Sequence, residues 1–136
     1  MSYLLDTNVI SEVRKPKGNA SVKTWISSVD SEELHLSVLV IGEIRRGIEL
    51  LQRTDRTQAD TYEIWLRTLT SNYDGRILPI TQRIASEWGR INVPDYAPIV
   101  DGLMATTAKV HNMTFVSRNI ADVERSGVRL LNPFES

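Results

Sequence analysis

The sequence contains no cysteine, which removes disulfides, thiolate zinc sites and a cysteine nucleophile together. Histidine is nearly as scarce, His35 and His111 being far apart along the chain, so a histidine-built metal site is not expected. No stretch approaches the roughly eighteen consecutive apolar residues of a membrane span, and no membrane association is expected. The N-terminal region carries no basic segment ahead of a long apolar one, and Asp6 interrupts its apolar run. A cytoplasmic protein rather than a secreted one is the expectation. Excess charge of one sign is also missing. A formal net charge of −1 argues against bulk coating of nucleic acid but leaves local handling of it open. Any bound metal must then be a hard cation held by oxygen ligands.

The 136 residues are 41% hydrophobic and 24% charged, ordinary for one compact domain over 1–136. Strand signals fall at Tyr3 to Leu5, Leu34 to Leu36, Arg76 to Ile80, Thr114 to Val116 and Val128 to Leu131. Helical periodicity occupies Asn8 to Val13, Ala20 to Val29, Val38 to Leu51, Arg56 to Ser71, Gln82 to Ile91 and Pro98 to His111. Short strands alternating with helices indicate an α/β fold with a central, mainly parallel five-stranded sheet flanked by helices. Small basic groups at Arg14-Lys15-Pro16-Lys17 and Arg45-Arg46 read as a solvated loop and a solvated helix face.

Three carboxylates stand out. Asp6 ends the run Tyr3-Leu4-Leu5, with a helix directly behind it, and ligands of open α/β sheets bind at the carboxyl ends of strands. It is also an N-cap candidate, although Thr7 and Asn8 can do that job and leave Asp6 free. Glu43 lies beside the helical stripe Val40, Ile44, Gly47, Ile48, Leu51; taken alone, a glutamate there snorkels to water. Asp101 is the one charged residue between Pro98 and Ala108. It borders Ala97, Met104, Ala105 and Ala108, small side chains expected to leave a cleft open. An isolated acid in such a face needs a partner, and a cation is one candidate; an exposed aspartate favoured by the macrodipole is the other reading. Asn119 with Asp122 three residues on has the spacing of an N-cap and a capping-box acid. A polar helix start at a sheet edge also suits a phosphate.

Leu4-Leu5-Asp6-Thr7-Asn8-Val9-Ile10-Ser11-Glu12 is similar to the opening of PIN-domain ribonucleases, especially the VapC and FitB group of bacterial toxin–antitoxin toxins. Ser37 through Leu51, Asp101 through Ala108, Thr114 through Asp122 and Leu131-Asn132-Pro133-Phe134 resemble the family's later blocks, in order and spacing. Val123 stands where the family often has an aromatic residue. The resemblance implies a Mg²⁺- or Mn²⁺-dependent endoribonuclease with Asp6, Glu43 and Asp101 as metal-binding acids. Asp122 would be a fourth, more variable acid, and Thr7 and Asn119 supporting polar residues. It further implies a cognate antitoxin, a homodimer, and DNA met only indirectly through the antitoxin. An apolar groove near Trp25, Trp65 and Leu69 is a candidate seat for the antitoxin segment.

The chemistry is consistent with that implication: clustered carboxylates that resist ionising together become stable around a divalent cation, which activates water and neutralises charge on a phosphodiester. Two rivals remain. An aspartyl-phosphate-forming phosphotransferase wants a second acid two residues after Asp6, where Asn8 stands. A catalytically weak binding module could act mainly as co-repressor partner of a DNA-binding antitoxin.

Overall fold

The computed structural model describes residues 1–95 and 97–135. Its strands are β1 (Tyr3–Leu5), β2 (Leu34–Ser37), β3 (Ile77–Leu78), β4 (Thr114–Val116) and β5 (Leu130–Leu131). They form one sheet in the order β3-β2-β1-β4-β5, and every pairing is parallel. Between them run α1 (Thr7–Arg14), α2 (Ala20–Ser28), α3 (Val38–Leu51), α4 (Arg56–Asn72), α5 (Gln82–Ile91) and α6 (Ile99–Val110), with 3₁₀ segments at Ser31–Glu33 and Ile120–Ser126.

Strands covered on both faces read as continuous apolar runs rather than alternating ones. Leu4, Leu5, Leu36, Phe115 and Val116 are accordingly all buried. Truncating one of them to alanine costs about 2–5 kcal/mol. The ends of α3 and α5 coincide with their sequence-based spans. β3 is shorter than the predicted Arg76–Ile80 span: Pro79 has no N–H to donate to the ladder, and the Arg76 N–H closes a turn on Tyr73 O instead.

α6 corrects an expectation. Met104, Ala105 and Ala108 do not leave a cleft open; all three are fully buried, where α6 packs against β1 and β4. The small side chains of Ala105 and Ala108 let that helix lie close to the sheet, with Asp101 in its first turn.

The strand order places the site. From β1 the chain steps outward to β2 and β3, then returns to set β4 on the other side of β1. That reversal opens a crevice between the carboxyl ends of β1 and β4, where open α/β sheets bind ligands. Asp6 follows β1, and Ser117 follows β4.

Candidate active site

Asp6 caps α1. Its backbone is extended (φ −72°, ψ 158°), and its Oδ1 accepts from the Thr7 N–H at 2.7 Å. Capping therefore falls to Asp6 rather than to Thr7 or Asn8, because those two already lie inside the helix. The other oxygen, Oδ2, accepts from Ser117 Oγ at 2.7 Å and from Asn8 Nδ2 at 3.3 Å. Asn8 also spans the crevice, donating to Ser117 Oγ at 3.3 Å and accepting from the Arg118 N–H at 3.2 Å. The carboxylate is thus fixed from both sides of the switch point.

Thr7 Oγ1 donates to Glu43 Oε1 at 2.6 Å, tying the exposed α3 glutamate to the start of α1. Asp101 is half-buried. The Gly102 beside it sits under Trp88 of α5, and a Cβ there would lie 3.2 Å from the indole Nε1. That indole N–H is buried with no hydrogen-bond partner among the described residues. Asp122 is exposed on the 3₁₀ segment.

The acids influence one another in pairs. Burial pushes the Asp6 carboxyl up to about 6, against the pull of the Ser117 and Thr7 hydrogen bonds, and the charges of Asp101 and Glu43 push it further the same way. Asp101 is raised by burial first, then by Glu43 and Asp122. Among the described residues, none of the four acids takes part in an ion pair. Nor do three Asp, Glu or His side chains among them form a ready-made metal cage. The acids are thus mutually repelling carboxylates without a cationic partner among the described residues. The donors are carboxylate and hydroxyl oxygens, which suit a hard divalent cation.

Asn119 differs from its expected role. Its side chain makes no capping bond and Asp122 closes no capping box, since the segment is 3₁₀ rather than α-helical. Its backbone N–H donates to Ser117 Oγ at 3.0 Å instead. Ser117 and Asn8 are the residues that site reasoning from sequence passed over. The available signal was a polar residue directly behind a buried strand, the same feature that singled out Asp6.

The apolar groove is also redrawn. A groove of about 340 Å³ runs from Thr7 and Glu43 past Gly47 and Leu51 to Tyr62 and Trp65. Leu69 is buried in the core, and Trp25 packs edge-on to Tyr3 at 5.1 Å, so of the three expected residues Trp65 alone lines it.

Comparison with known proteins identifies the family and the fold. The family model described as PIN domain matches residues 3–122. Toxin FitB of Neisseria gonorrhoeae is 32% identical over 138 residues, covering 96% of this chain and 97% of the relative. VapC ribonuclease Y4jK of Sinorhizobium fredii is 27% identical, with 97% of each chain covered. The structure of FitAB bound to IR36 DNA fragment superposes with a TM-score of 0.89 at 30% identity, over 98% of this chain and 96% of that one. The chain belongs to the PIN-domain family.

Proposed function

We propose that this protein is the toxin of a toxin–antitoxin pair and a divalent-metal-dependent endoribonuclease that hydrolyses RNA phosphodiester bonds. The observation that carries the reading is the cleft at the β1/β4 switch point. There Asp6 feels the charges of Asp101 and Glu43, Asp101 feels those of Glu43 and Asp122, and burial with this repulsion raises Asp6 and Asp101. The similarity to proteins named as a toxin and as a ribonuclease supports it.

Asp6, Glu43 and Asp101 would hold the ion, Mg²⁺ or Mn²⁺. When bound, such an ion lowers the pKa of a coordinated water and neutralises charge on the phosphate. The chain supplies orientation. Ser117 and Asn8 lock one oxygen of Asp6, and the Thr7 N–H locks the other. Thr7 holds Glu43 by its hydroxyl, leaving the glutamate's second oxygen for the ion or its water. Asp122, exposed on the rim, is assigned to an outer-sphere ion. Asn119 supports through its backbone bond to Ser117.

A chain related to the FitAB assembly on DNA is expected to bind a cognate antitoxin and to reach DNA through it. The groove ending at Trp65 is the seat assigned to the antitoxin. A homodimer, a single domain over 1–136 and a cytoplasmic location belong to the same reading.

The test is cleavage of total bacterial RNA with mapped fragment ends, comparing the parent with Asp6→Asn, each with Mg²⁺, Mn²⁺ or EDTA. Discrete cuts leaving 5′-phosphates, made by the parent and only with metal, are the expected result. Equal cutting by both proteins, or none by either, overturns the nuclease assignment, the latter in favour of a partner-binding role.

A further inference from the structure

The basic group after α1, unremarkable as sequence, occupies a built position in the structure. The loop that follows α1 is closed by the Lys15 N–H on Glu12 O and the Gly18 N–H on Lys15 O. Glu12 Oε1 accepts from the Asn19 N–H at 2.9 Å. Lys23 of α2 reaches over and donates its ammonium to the carbonyls of Lys15 and Pro16. Gly18 is required in this loop, because a Cβ there would fall 2.3 Å from Glu12 O. Lys15 and Lys17 are exposed on this pinned loop.

Arg118 joins them from the segment after β4. It is exposed, its guanidinium lies 4.3 Å over the Phe134 ring, and its backbone N–H is bound to Asn8, one residue beyond the Asp6 partner Ser117. Glu12 is held below the usual carboxylate range first by the Asn19 N–H, then by Lys15, with the Arg118 charge contributing. Lys15 and Arg118 therefore lie near a single carboxylate, with Lys17 on the loop that Lys23 braces. Arg14 does not belong to this set. Its guanidinium is turned onto Tyr62 at 4.0 Å, toward the groove on the other side.

We propose that this shoulder of Lys15, Lys17 and Arg118, braced by Lys23, holds the backbone phosphates of single-stranded RNA next to the acids. The inference rests on the nuclease reading and adds where its substrate is gripped. An acid cleft repels a phosphate chain, and a net charge of −1 supplies no general attraction, so affinity must come from a local positive surface. This shoulder is contiguous with the cleft through Arg118. Cations on a pinned loop lose little freedom on binding. Ammonium groups that carry charge without a planar fork fit a sequence-blind phosphate grip.

The experiment is fluorescence anisotropy of a labelled single-stranded RNA, bound by Asp6→Asn protein over a salt series. Within that background, K15Q/K17Q is expected to weaken binding about five- to tenfold at 0.1 M salt. It should also flatten the slope of log K against log salt by about 0.7 for each phosphate no longer neutralised. R118Q should flatten it by the equivalent of about one phosphate. R53Q/R56Q, which removes two exposed cations beyond the far end of α3, should leave the slope unchanged.

Unchanged slopes for both shoulder variants, equal losses from R53Q/R56Q, or no RNA binding at all would each overturn the proposal. Poly-glutamate engaging the shoulder where RNA does not would overturn it in favour of an acidic protein partner. Cleavage is not the readout, so the two readings fail separately. A parent that never cuts, with a shoulder-dependent slope, sinks the nuclease and leaves the RNA grip. A cutting parent with unchanged slopes does the reverse.

Discussion

The two ends of α1 carry opposite charge in opposite surroundings. At the N-terminus Asp6 is 4% exposed and its carboxyl sits near 6; beyond the C-terminus Lys15 and Lys17 stand in water. The eight residues of the helix separate them by about 12 Å at 1.5 Å per residue. The macrodipole favours this polarity at both ends. What differs is solvent. Burial makes the acid end costly when ionised, so it gains from a tightly held cation. Exposure makes the basic end inexpensive and undemanding, suited to an anion that slides past. Charge sign alone would not have told these roles apart.

The largest way to break the comparison is at the acid end. Asp101→Asn should lower metal-dependent RNA cleavage by at least about a hundredfold, the scale of losing one preorganised electrostatic contact. Asp122→Asn, on the exposed rim, should cost less than about tenfold. Steady-state rates on one mapped substrate decide it, and equal losses would mean Asp122 is as central as Asp101.

Next comes pH. Asp6 has a folded-state pKa raised from 3.8 to about 6, so the native state binds more protons than the unfolded chain between those values. Stability of the metal-free protein from this group is therefore greatest below pH 4 and declines as pH rises to 6, by up to about 3 kcal/mol. The difference in urea unfolding between parent and Asp6→Asn, in EDTA across that window, isolates the effect, and added divalent cation at pH 7 should recover it.

Ser117→Ala should cost about 1–3 kcal/mol, because a buried acceptor on Asp6 loses its shortest side-chain donor; thermal melts with and without metal measure it. At the basic end Lys15→Gln should leave the unfolding midpoint unchanged. Its pair with Glu12 spans 3.4 Å with the lysine exposed, and such pairs contribute little.

Much of this was legible from residue order. β1, α3 and α5 could be bounded from apolar runs and their caps, because local patterning and burial agree there. The acids at Asp6, Glu43 and Asp101 stood out as charges beside apolar faces. What could not be read was which hydroxyl would meet which carboxylate. The Ser117–Asp6 bond depends on β4 landing beside β1, a long-range pairing that no local window contains. The openness assigned to the Met104, Ala105 and Ala108 face failed for a related reason: small side chains signal close packing as readily as a void. The basic loop looked like solvent-facing charge until Lys23 and Gly18 were seen pinning it.

Ser117 and Asp6 are 111 positions apart, which sets an order of events during synthesis. At about 5–20 residues per second, roughly ten seconds pass between the emergence of the acid and that of its anchor. Until β4 is made, Asp6 has neither Ser117 nor a β-strand neighbour on that side. A chain released early, at Val110 for instance, should show no Asp6-dependent activity. The fold therefore carries its own delay: the Asp6 carboxylate waits for its anchor until 111 further positions have been made.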